Sequence, residues 1–222
     1  MRLKGSNCAQ FEPLSRIVRE FSIEEIEVEG RESYNISPGD MVRSVFCRDG
    51  RRVLTAFKWG LVPHWAKDPS IGRSLINARA ESVHSKPSFR NAFALHRCLI
   101  IADGFYEWKK EDSGKKPYFL KLESGAPFAF AGLYDLWSGT HDRIEQTCTI
   151  ITTAANEVVL PIHDRMPVIL SRDQEQVWLD GTSTREALLS LLAPSKLPMV
   201  SYPVSPKMNS PKLNSPECIR GN

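Results

Sequence analysis

Short apolar runs, separated by residues that favour turns, are the feature of this sequence that most restricts its fold. The run Arg97-Cys98-Leu99-Ile100-Ile101-Ala102 is typical of a buried strand. Two more, roughly 41–47 and 52–59, are joined through Asp49-Gly50, a dipeptide that favours a tight hairpin. Further strands are predicted at 104–109, 117–122, 127–133, 147–153, 166–170 and 199–204. This succession indicates a sheet with much antiparallel pairing.

Helices are predicted at the periphery of that sheet. Apolar residues recur at helical spacing from Leu14 to Phe21 after Pro13, which predicts an amphipathic helix over 13–21. A short helix is predicted at 88–95, and Ser171 and Ser183 each begin a capping-box pattern. A chain of 222 residues then fits one α+β domain over 1–222, with a mainly antiparallel sheet or barrel-like core. The stretch 205–222, rich in Pro, Asn, Ser and Lys, is expected to be a loosely ordered tail.

Composition and cysteine spacing exclude several classes of protein. The formal net charge of +3 is compatible with a polyanionic partner but does not argue for one. No apolar stretch approaches the ~18 residues that span a membrane, so we expect a cytoplasmic protein without membrane contact. The five cysteines are odd in number and form no C-x-x-C pair, which disfavours disulfides and a zinc site. Cys47, Cys98 and Cys148 lie in apolar runs and are expected to be buried thiols.

Three polar residues alternate along the segment from Leu75 to Glu81. If this segment is extended, Asn77, Arg79 and Glu81 project to one face. An amide and a guanidinium suit a phosphate or a sugar oxygen, because arginine matches phosphate geometry with two hydrogen bonds. The alternative is a structural ion pair between Arg79 and a carboxylate.

Two further polar residues stand in apolar surroundings and suit proton transfer. Glu107 lies between Tyr106 and Trp108, and a carboxyl group among aromatic rings tends to have a raised pKa. His163 lies in the segment Pro161 to Pro167, and histidine is a residue type suited to general acid–base work, with Asp164 or Arg165 to tune or hold it. The alternatives are an exposed glutamate on a hairpin and a histidine that stabilises its loop. Trp65 likewise suits either stacking on bases or core packing.

None of these residues is specific alone, but in combination they resemble one family. The segments that carry the resemblance are Tyr34-Asn35-Ile36-Ser37-Pro38-Gly39, Trp59-Gly60-Leu61-Val62-Pro63-His64-Trp65, Ile76-Asn77-Ala78-Arg79-Ala80-Glu81, Asp103-Gly104-Phe105-Tyr106-Glu107-Trp108, Ile162-His163-Asp164-Arg165-Met166-Pro167 and Pro203-Val204-Ser205. In this order they resemble the SRAP family, the SOS response-associated peptidases, from about residue 10 to the C-terminus.

The resemblance implies a function in DNA repair. Members of the family bind single-stranded DNA with an abasic site and link to the open-chain sugar aldehyde through an N-terminal cysteine. The α-amine forms a Schiff base and the thiol closes a thiazolidine ring. The implied enzyme is a peptidase, that is a hydrolase, with lyase-like activity and without cofactor or metal. A monomer that associates with the nucleoid is expected.

The resemblance also implies roles for individual residues. Asn77 would position the sugar or the cysteine, Glu107 would manage protons, and His163 would act as acid and base in the Schiff-base steps. Arg79 would contact the phosphate beside the lesion. The nucleophile would be Cys8. The implied DNA-binding set is completed by Trp65, Asn35 and Pro38.

The start of the chain departs from the family, which begins Met-Cys-Gly-Arg followed by an aromatic residue. Here position 2 is Arg2, and residues 1–9 form a divergent leader. In one alignment Cys8 replaces the family cysteine and residues 1–7 are extra. In the other, Ala9-Gln10 matches the Ala-Gln that often follows the motif, and the nucleophile is absent. An uncleaved Cys8 has an amide nitrogen, which cannot form a Schiff base. Three cases follow: autoproteolysis that releases Cys8, a noncovalent DNA binder, or an altered start of the sequence.

Overall fold

The computed structural model describes residues 7–112, 114–139 and 144–221, and strands dominate these residues. The strands are β1 (Asn7–Gln10), β2 (Glu25–Ile26), β3 (Ser33–Ile36), β4 (Met41–Arg48), β5 (Arg51–Trp59), β6 (Asn77–Arg79), β7 (Arg97–Ala102), β8 (Gly104–Glu111), β9 (Gly114–Leu122), β10 (Phe128–Ser138), β11 (Ile144–Ala154), β12 (Arg165–Pro167), β13 (Ile169–Leu170) and β14 (Met199–Pro203). The helices are α1 (Leu14–Glu20), α2 (Arg90–Leu95), α3 (Arg172–Leu179) and α4 (Arg185–Ser190), with 3-10 turns at Pro69–Arg73, Pro206–Asn209 and Pro216–Ile219.

The hairpin between β4 and β5 follows directly from its turn residues. Arg48 pairs with Arg51 across the turn, and Asp49 and Gly50 between them have φ values of 51° and 78°. Two successive positive φ values belong to a type I′ turn, whose twist matches that of the strands it joins. The predicted hairpin is confirmed.

Five strands close into a barrel, in the order β11, β10, β7, β4 and β5. Neighbours along this order are antiparallel, and the ring is completed where Thr147 and Cys148 of β11 pair in parallel with Lys58 and Trp59 of β5. Because β11 and β5, the two outer strands of this order, pair with each other, the barrel leaves neither of them as an open edge. The prediction of a strand-rich α+β domain with a barrel-like core is confirmed.

A smaller sheet, in the order β14, β9, β8, β1 and β3, packs against the barrel. Its strand β1 is paired on both sides, with Cys8 opposite Phe105 of β8 and Ile36 of β3. The leader was predicted over 1–9. Residues 1–6 lie outside the described residues, whereas Asn7, Cys8 and Ala9 are buried members of this sheet. The start of β1 is therefore part of the fold.

The C-terminal segment differs from the loosely ordered tail that was predicted. Met208 and Cys218 are buried, and Val204 forms a β-bridge with Gly221. The segment packs against β3, where the Asn214 side chain accepts the backbone N–H of Tyr34. Apolar anchors in a polar stretch thus hold it against the smaller sheet.

Two large apolar clusters form the core. One lies between the barrel and the helices and includes Trp178 of α3 and Phe93 of α2. The other lies between the barrel and the smaller sheet, where Cys8 and Phe105 meet Phe130. The described residues contain no helix long and apolar enough to cross a membrane.

The cysteines are only partly where the sequence predicted them. Cys98 and Cys148 are buried, as predicted. The prediction that Cys47 is buried was wrong: its thiol is exposed, because the residue lies near the end of β4, beside the hairpin turn.

Candidate active site

A cavity of about 240 Å³ opens where the barrel meets the smaller sheet. Five residues that the sequence singled out, and that come from four separate segments, line it: Cys8, Asn77, Arg79, Glu107 and His163. Other residues of its wall are Asn7, Trp59, Thr152, Arg165 and Met166. The fold thus gathers most of the candidate chemistry of the chain in one place.

One wall of the cavity is built by strand β6 and its neighbour β11. The two strands run parallel, with Asn77 opposite Ile150 and Arg79 opposite Thr152, and all four residues line the cavity. Ala78 between them is fully buried on the other face, as the alternation of a strand requires. The expected common face of Asn77 and Arg79 is therefore observed.

Glu81 has a different function in this wall. Its carboxylate accepts two hydrogen bonds from the Arg165 guanidinium, at 2.6 and 3.0 Å, and Arg165 also donates to the Thr152 carbonyl. This pairing holds the pKa of Glu81 below its usual value. The Glu81 carboxylate is thus bound to Arg165 and holds that side chain at the cavity wall. Arg79, in contrast, is exposed.

Glu107 presents a carboxyl group with unusual acid–base properties. It lies in β8 between β1 and β9 and is only 8% exposed. Burial raises its pKa to about 8, with a further contribution from the nearby charge of Asp164, whereas the backbone N–H of Trp108 acts in the opposite direction. A carboxyl group in this state is protonated at neutral pH and can donate a proton.

The buried carboxyl group makes stability depend on pH. Its pKa is about 8 in the folded chain and 4.5 ordinarily, so between these values the unfolded chain is ionised and the folded chain is not. The free energy of unfolding must therefore fall as pH rises from 4.5 to 8. Glu107→Gln should remove this loss, which is roughly 5 kcal/mol at most for a pKa difference of this size. Urea unfolding at both ends of the range measures it, and the exposed Glu123→Gln is the control. Equal slopes for all three proteins would contradict the buried, protonated state.

His163 is held in a defined tautomer by its own loop. The backbone N–H of Arg165 donates to Nδ1 at 3.1 Å, so the proton of the neutral ring lies on Nε2. Nδ1 also lies 3.2 Å from the Arg165 carbonyl and 3.3 Å from an Asp164 carboxylate oxygen, both of which can accept from the protonated ring. The ring is half-exposed at the mouth of the cavity and can exchange protons there.

Cys8 forms part of the cavity wall, but its free thiol is buried in the uncleaved chain. It is 1% exposed and belongs to the apolar cluster between barrel and smaller sheet. Burial, together with the charges of Asp103 and Asp40, raises the pKa of its thiol far above the ordinary value. The thiol is therefore protonated, and its backbone nitrogen is an amide within β1.

Asn7, which the sequence did not single out, lines the cavity next to Cys8. Its side-chain Nδ2 donates to Asn35 Oδ1 at 2.7 Å and to Ser37 Oγ at 2.9 Å. Asn35 is buried and does not line the cavity, and its own Nδ2 donates to the carbonyls of Met208 and Leu213. Asn35 thus acts on the cavity through Asn7. The only signal in the sequence was the adjacency of Asn7 to Cys8.

The two remaining residues of the predicted DNA-binding set, Pro38 and Trp65, lie outside the cavity. Pro38 lines a neighbouring surface depression, and Trp59 is common to both. The Trp59 indole N–H donates to the Ile76 carbonyl, which ties this shared wall to the start of β6.

Trp65 is 52% exposed and lies in a loop that strands β10 and β11 anchor. Thr147 Oγ1 accepts the backbone N–H of Val62, Asp135 accepts that of His64, and the Trp137 indole donates to the Ala66 carbonyl. The loop thus presents a large aromatic ring to solvent on a fixed backbone.

Comparisons with known proteins agree on one family. Residues 6–211 match the family described as SOS response associated peptidase (SRAP). The chain is 46% identical over 199 residues to abasic site processing protein YoaM of Bacillus subtilis (strain 168), covering 87% of this chain and 88% of that protein. It is 35% identical over 194 residues to abasic site processing protein HMCES of Gallus gallus, covering 76% of this chain and 57% of that protein. A crystal structure of a protein from Bacteroides thetaiotaomicron matches with a TM-score of 0.90 and 25% identity, over 97% of this chain and 99% of that one.

Proposed function

Because this chain belongs to the SOS response associated peptidase family, we propose that it processes abasic sites in single-stranded DNA by covalent capture. The reacting group is Cys8, once that residue is the N-terminus. The observation that carries this proposal is the single cavity that brings Cys8, Asn77, Arg79, Glu107 and His163 together. Its relatives YoaM and HMCES bear the name abasic site processing protein, which supports the same substrate.

The capture consists of two bond-forming steps. The free α-amine of Cys8 adds to the aldehyde of the open-chain sugar, and loss of water gives a Schiff base. The thiol then adds to the imine carbon, and its proton passes to the nitrogen, which closes a thiazolidine ring. Both groups must be on one residue, so the peptide bond after Asn7 has to be cleaved first.

The surroundings of the cavity suit each step. The protonated Glu107 carboxyl donates to the departing hydroxyl, and His163 takes up and returns protons through Nε2. Asn77 orients the sugar or the cysteine. The same acid and base support elimination at the sugar, so a lyase-like strand cleavage and reversal of the crosslink belong to the proposal.

The DNA strand runs past the cavity mouth in this proposal. Arg79 contacts the phosphate beside the lesion, the exposed Trp65 packs against the strand, and Pro38 lies along its path next to Trp59. Asn35 contributes at an earlier stage, because it holds Asn7 in the uncleaved chain. The protein acts as a monomer on DNA in the cytoplasm, at the nucleoid.

The buried thiol of Cys8 favours a second candidate function, that of a noncovalent binder of single-stranded DNA. In the uncleaved chain the thiol is 1% exposed and the nitrogen is an amide, so neither step can begin. The pocket would then bind the lesion without reacting. A third candidate is a self-processing peptidase whose main substrate is its own N-terminal segment.

A denaturing gel distinguishes covalent capture from noncovalent binding. The protein is incubated with a single-stranded oligonucleotide that carries one abasic site, and a shifted band after denaturation is the expected result. The control oligonucleotide carries a tetrahydrofuran analogue, which lacks the aldehyde and should give no band. Absence of a band with the abasic oligonucleotide, together with retained binding in fluorescence anisotropy, would favour the noncovalent function.

Arg79 should contribute to affinity without reacting. Arg79→Ala is expected to weaken binding of single-stranded DNA about tenfold and to reduce the salt dependence by about one counterion, because one phosphate contact is lost. Anisotropy titrations at several salt concentrations measure both effects. Arg185→Ala, an exposed arginine of α4, is the matched control. An unchanged salt slope in Arg79→Ala would contradict the phosphate contact.

The rate of capture should have a bell-shaped dependence on pH. The amine reacts as the free base, so the rate rises through the ordinary amine pKa of roughly 8. The Glu107 carboxyl acts as the protonated acid, so the rate falls as pH rises beyond its pKa of about 8. Glu107→Gln should slow the reaction and lose the falling limb. A falling limb that persists in Glu107→Gln would assign the acid to another residue.

A further inference from the structure

The Asn7–Cys8 peptide bond has to break for the proposed capture, yet the fold shields it from other proteins. Asn7 is 7% exposed and Cys8 is 1% exposed. Both lie in β1, which is hydrogen-bonded to β3 on one side and to β8 on the other. A protease binds its substrate as an extended and accessible segment. Strand β1 is already paired with β3 and β8, so a protease cannot reach this bond in the folded chain. A group within the chain itself meets no such obstacle.

The side chain of Asn7 is such a group. Its amide nitrogen and its own carbonyl carbon are separated by three atoms, so attack closes a five-membered ring. Reactions of groups positioned within one molecule reach effective concentrations of about 10⁵ M or more, which compensates for the weak nucleophilicity of an amide. An asparagine directly before the required N-terminal residue is the arrangement that this chemistry needs.

Hydrogen bonds fix the orientation of the Asn7 side-chain amide, that is, the positions of its Nδ2 and Oδ1 atoms. The Nδ2 of Asn35 is engaged by the carbonyls of Met208 and Leu213, so its Oδ1 faces Asn7 as an acceptor. Ser37 Oγ accepts from the same Nδ2 of Asn7 at 2.9 Å. Two acceptors therefore draw electron density from the N–H bonds toward the nitrogen. They also keep the side chain in one orientation within the folded chain.

We propose that the chain cleaves itself between Asn7 and Cys8, with the side-chain amide nitrogen of Asn7 as the nucleophile. The inference rests on the proposed function, because the cleavage supplies the free amine of Cys8 that capture requires. A bond forms between Nδ2 and the carbonyl carbon of Asn7, and the bond from that carbon to the Cys8 nitrogen breaks. One proton passes from Nδ2 to the Cys8 nitrogen. No water or oxidant is consumed, and the released segment ends in a cyclic imide that water later opens.

The cavity provides a proton donor for the leaving nitrogen. Tyr106 is the partner of Asn7 across the sheet, and Glu107 follows it in β8 and lines the same cavity. Departure of the segment that ends at Asn7 removes its side chain from the cavity wall. The new amine of Cys8 then begins β1, where Cys8 keeps its partners Phe105 and Ile36. Cleavage thus generates the nucleophile at the place where it acts.

Mass spectrometry of the purified full chain tests the inference. The expected products are a chain that begins at Cys8 and a released segment one water lighter than the hydrolysed peptide. Asn7→Gln, whose side chain would have to close a less favourable six-membered ring, should abolish both products. Asn91→Gln on α2 is the matched control and should be cleaved like the wild type. Thermal unfolding checks that both variants fold.

Three results would overturn the inference. One is a wild-type chain that stays intact, and another is equal cleavage in Asn7→Gln. The last is a released segment that has the mass of the hydrolysed peptide already at the earliest time point, which would indicate attack by water. This measurement uses the wild-type chain alone, so it does not depend on whether a variant folds. The proposed function is read separately, by the binding of single-stranded abasic DNA to the same samples. Loss of DNA binding with cleavage intact would contradict the function and leave the self-cleavage standing.

Discussion

Replacing Cys8 with alanine should abolish the covalent adduct with abasic single-stranded DNA. The variant lacks the thiol that closes the ring, and any Schiff base formed by the remaining amine is reversible and lost on denaturation. Noncovalent affinity should change by no more than about twofold, because phosphate contacts supply most of the affinity for DNA. A denaturing gel and an anisotropy titration on the same sample measure the two effects.

Cys98→Ala is the matched control for this prediction. Cys98 is also a fully buried thiol, but it lies in β7 and does not line the cavity. It should retain the adduct while accounting for any loss of stability caused by removal of a buried sulfur atom. A stable adduct in Cys8→Ala that survives denaturation would show that another residue reacts.

Replacing His163 with glutamine should slow capture by roughly 100-fold or more, since a positioned acid–base group typically contributes that much. Glutamine keeps polar atoms at the mouth of the cavity but cannot exchange a proton. The substitution should lower the single-turnover rate of adduct formation and the rate at which the DNA strand is released. The affinity for the uncleaved oligonucleotide should be nearly unchanged.

His84→Gln is the control for His163, because His84 is partly exposed and does not line the cavity. It should react at the wild-type rate. A His163→Gln protein with a normal rate but weaker binding would make His163 a DNA contact rather than an acid–base group.

Local chemistry explains which parts of the fold could be predicted from the sequence. The Asp49-Gly50 turn requires two positive φ values, and the alternation of Asn77 and Arg79 requires a common face, so neighbouring residues determine both. Barrel closure depends on β5 and β11 pairing at Lys58 and Thr147, residues distant in the chain. No local pattern encodes that contact.

The same distinction explains what was missed at the candidate site. The burial of Cys8 results from Phe105 and Ile36, its partners in the flanking strands, and neither lies near it in sequence. The part played by Asn7 depends on Asn35, which is positioned in turn by the carbonyls of Met208 and Leu213. Arg165 entered the cavity wall because Glu81 binds it from another segment. These are long-range contacts.

The most direct test of covalent capture is to map the attachment site. The adduct with abasic single-stranded DNA is digested with a protease and a nuclease, and the modified peptide is sequenced by mass spectrometry. Covalent capture at the N-terminus predicts one modified peptide that begins at Cys8 and carries the sugar remnant on that residue. A remnant on any other residue, or on a peptide in which Asn7 still precedes Cys8, would contradict it.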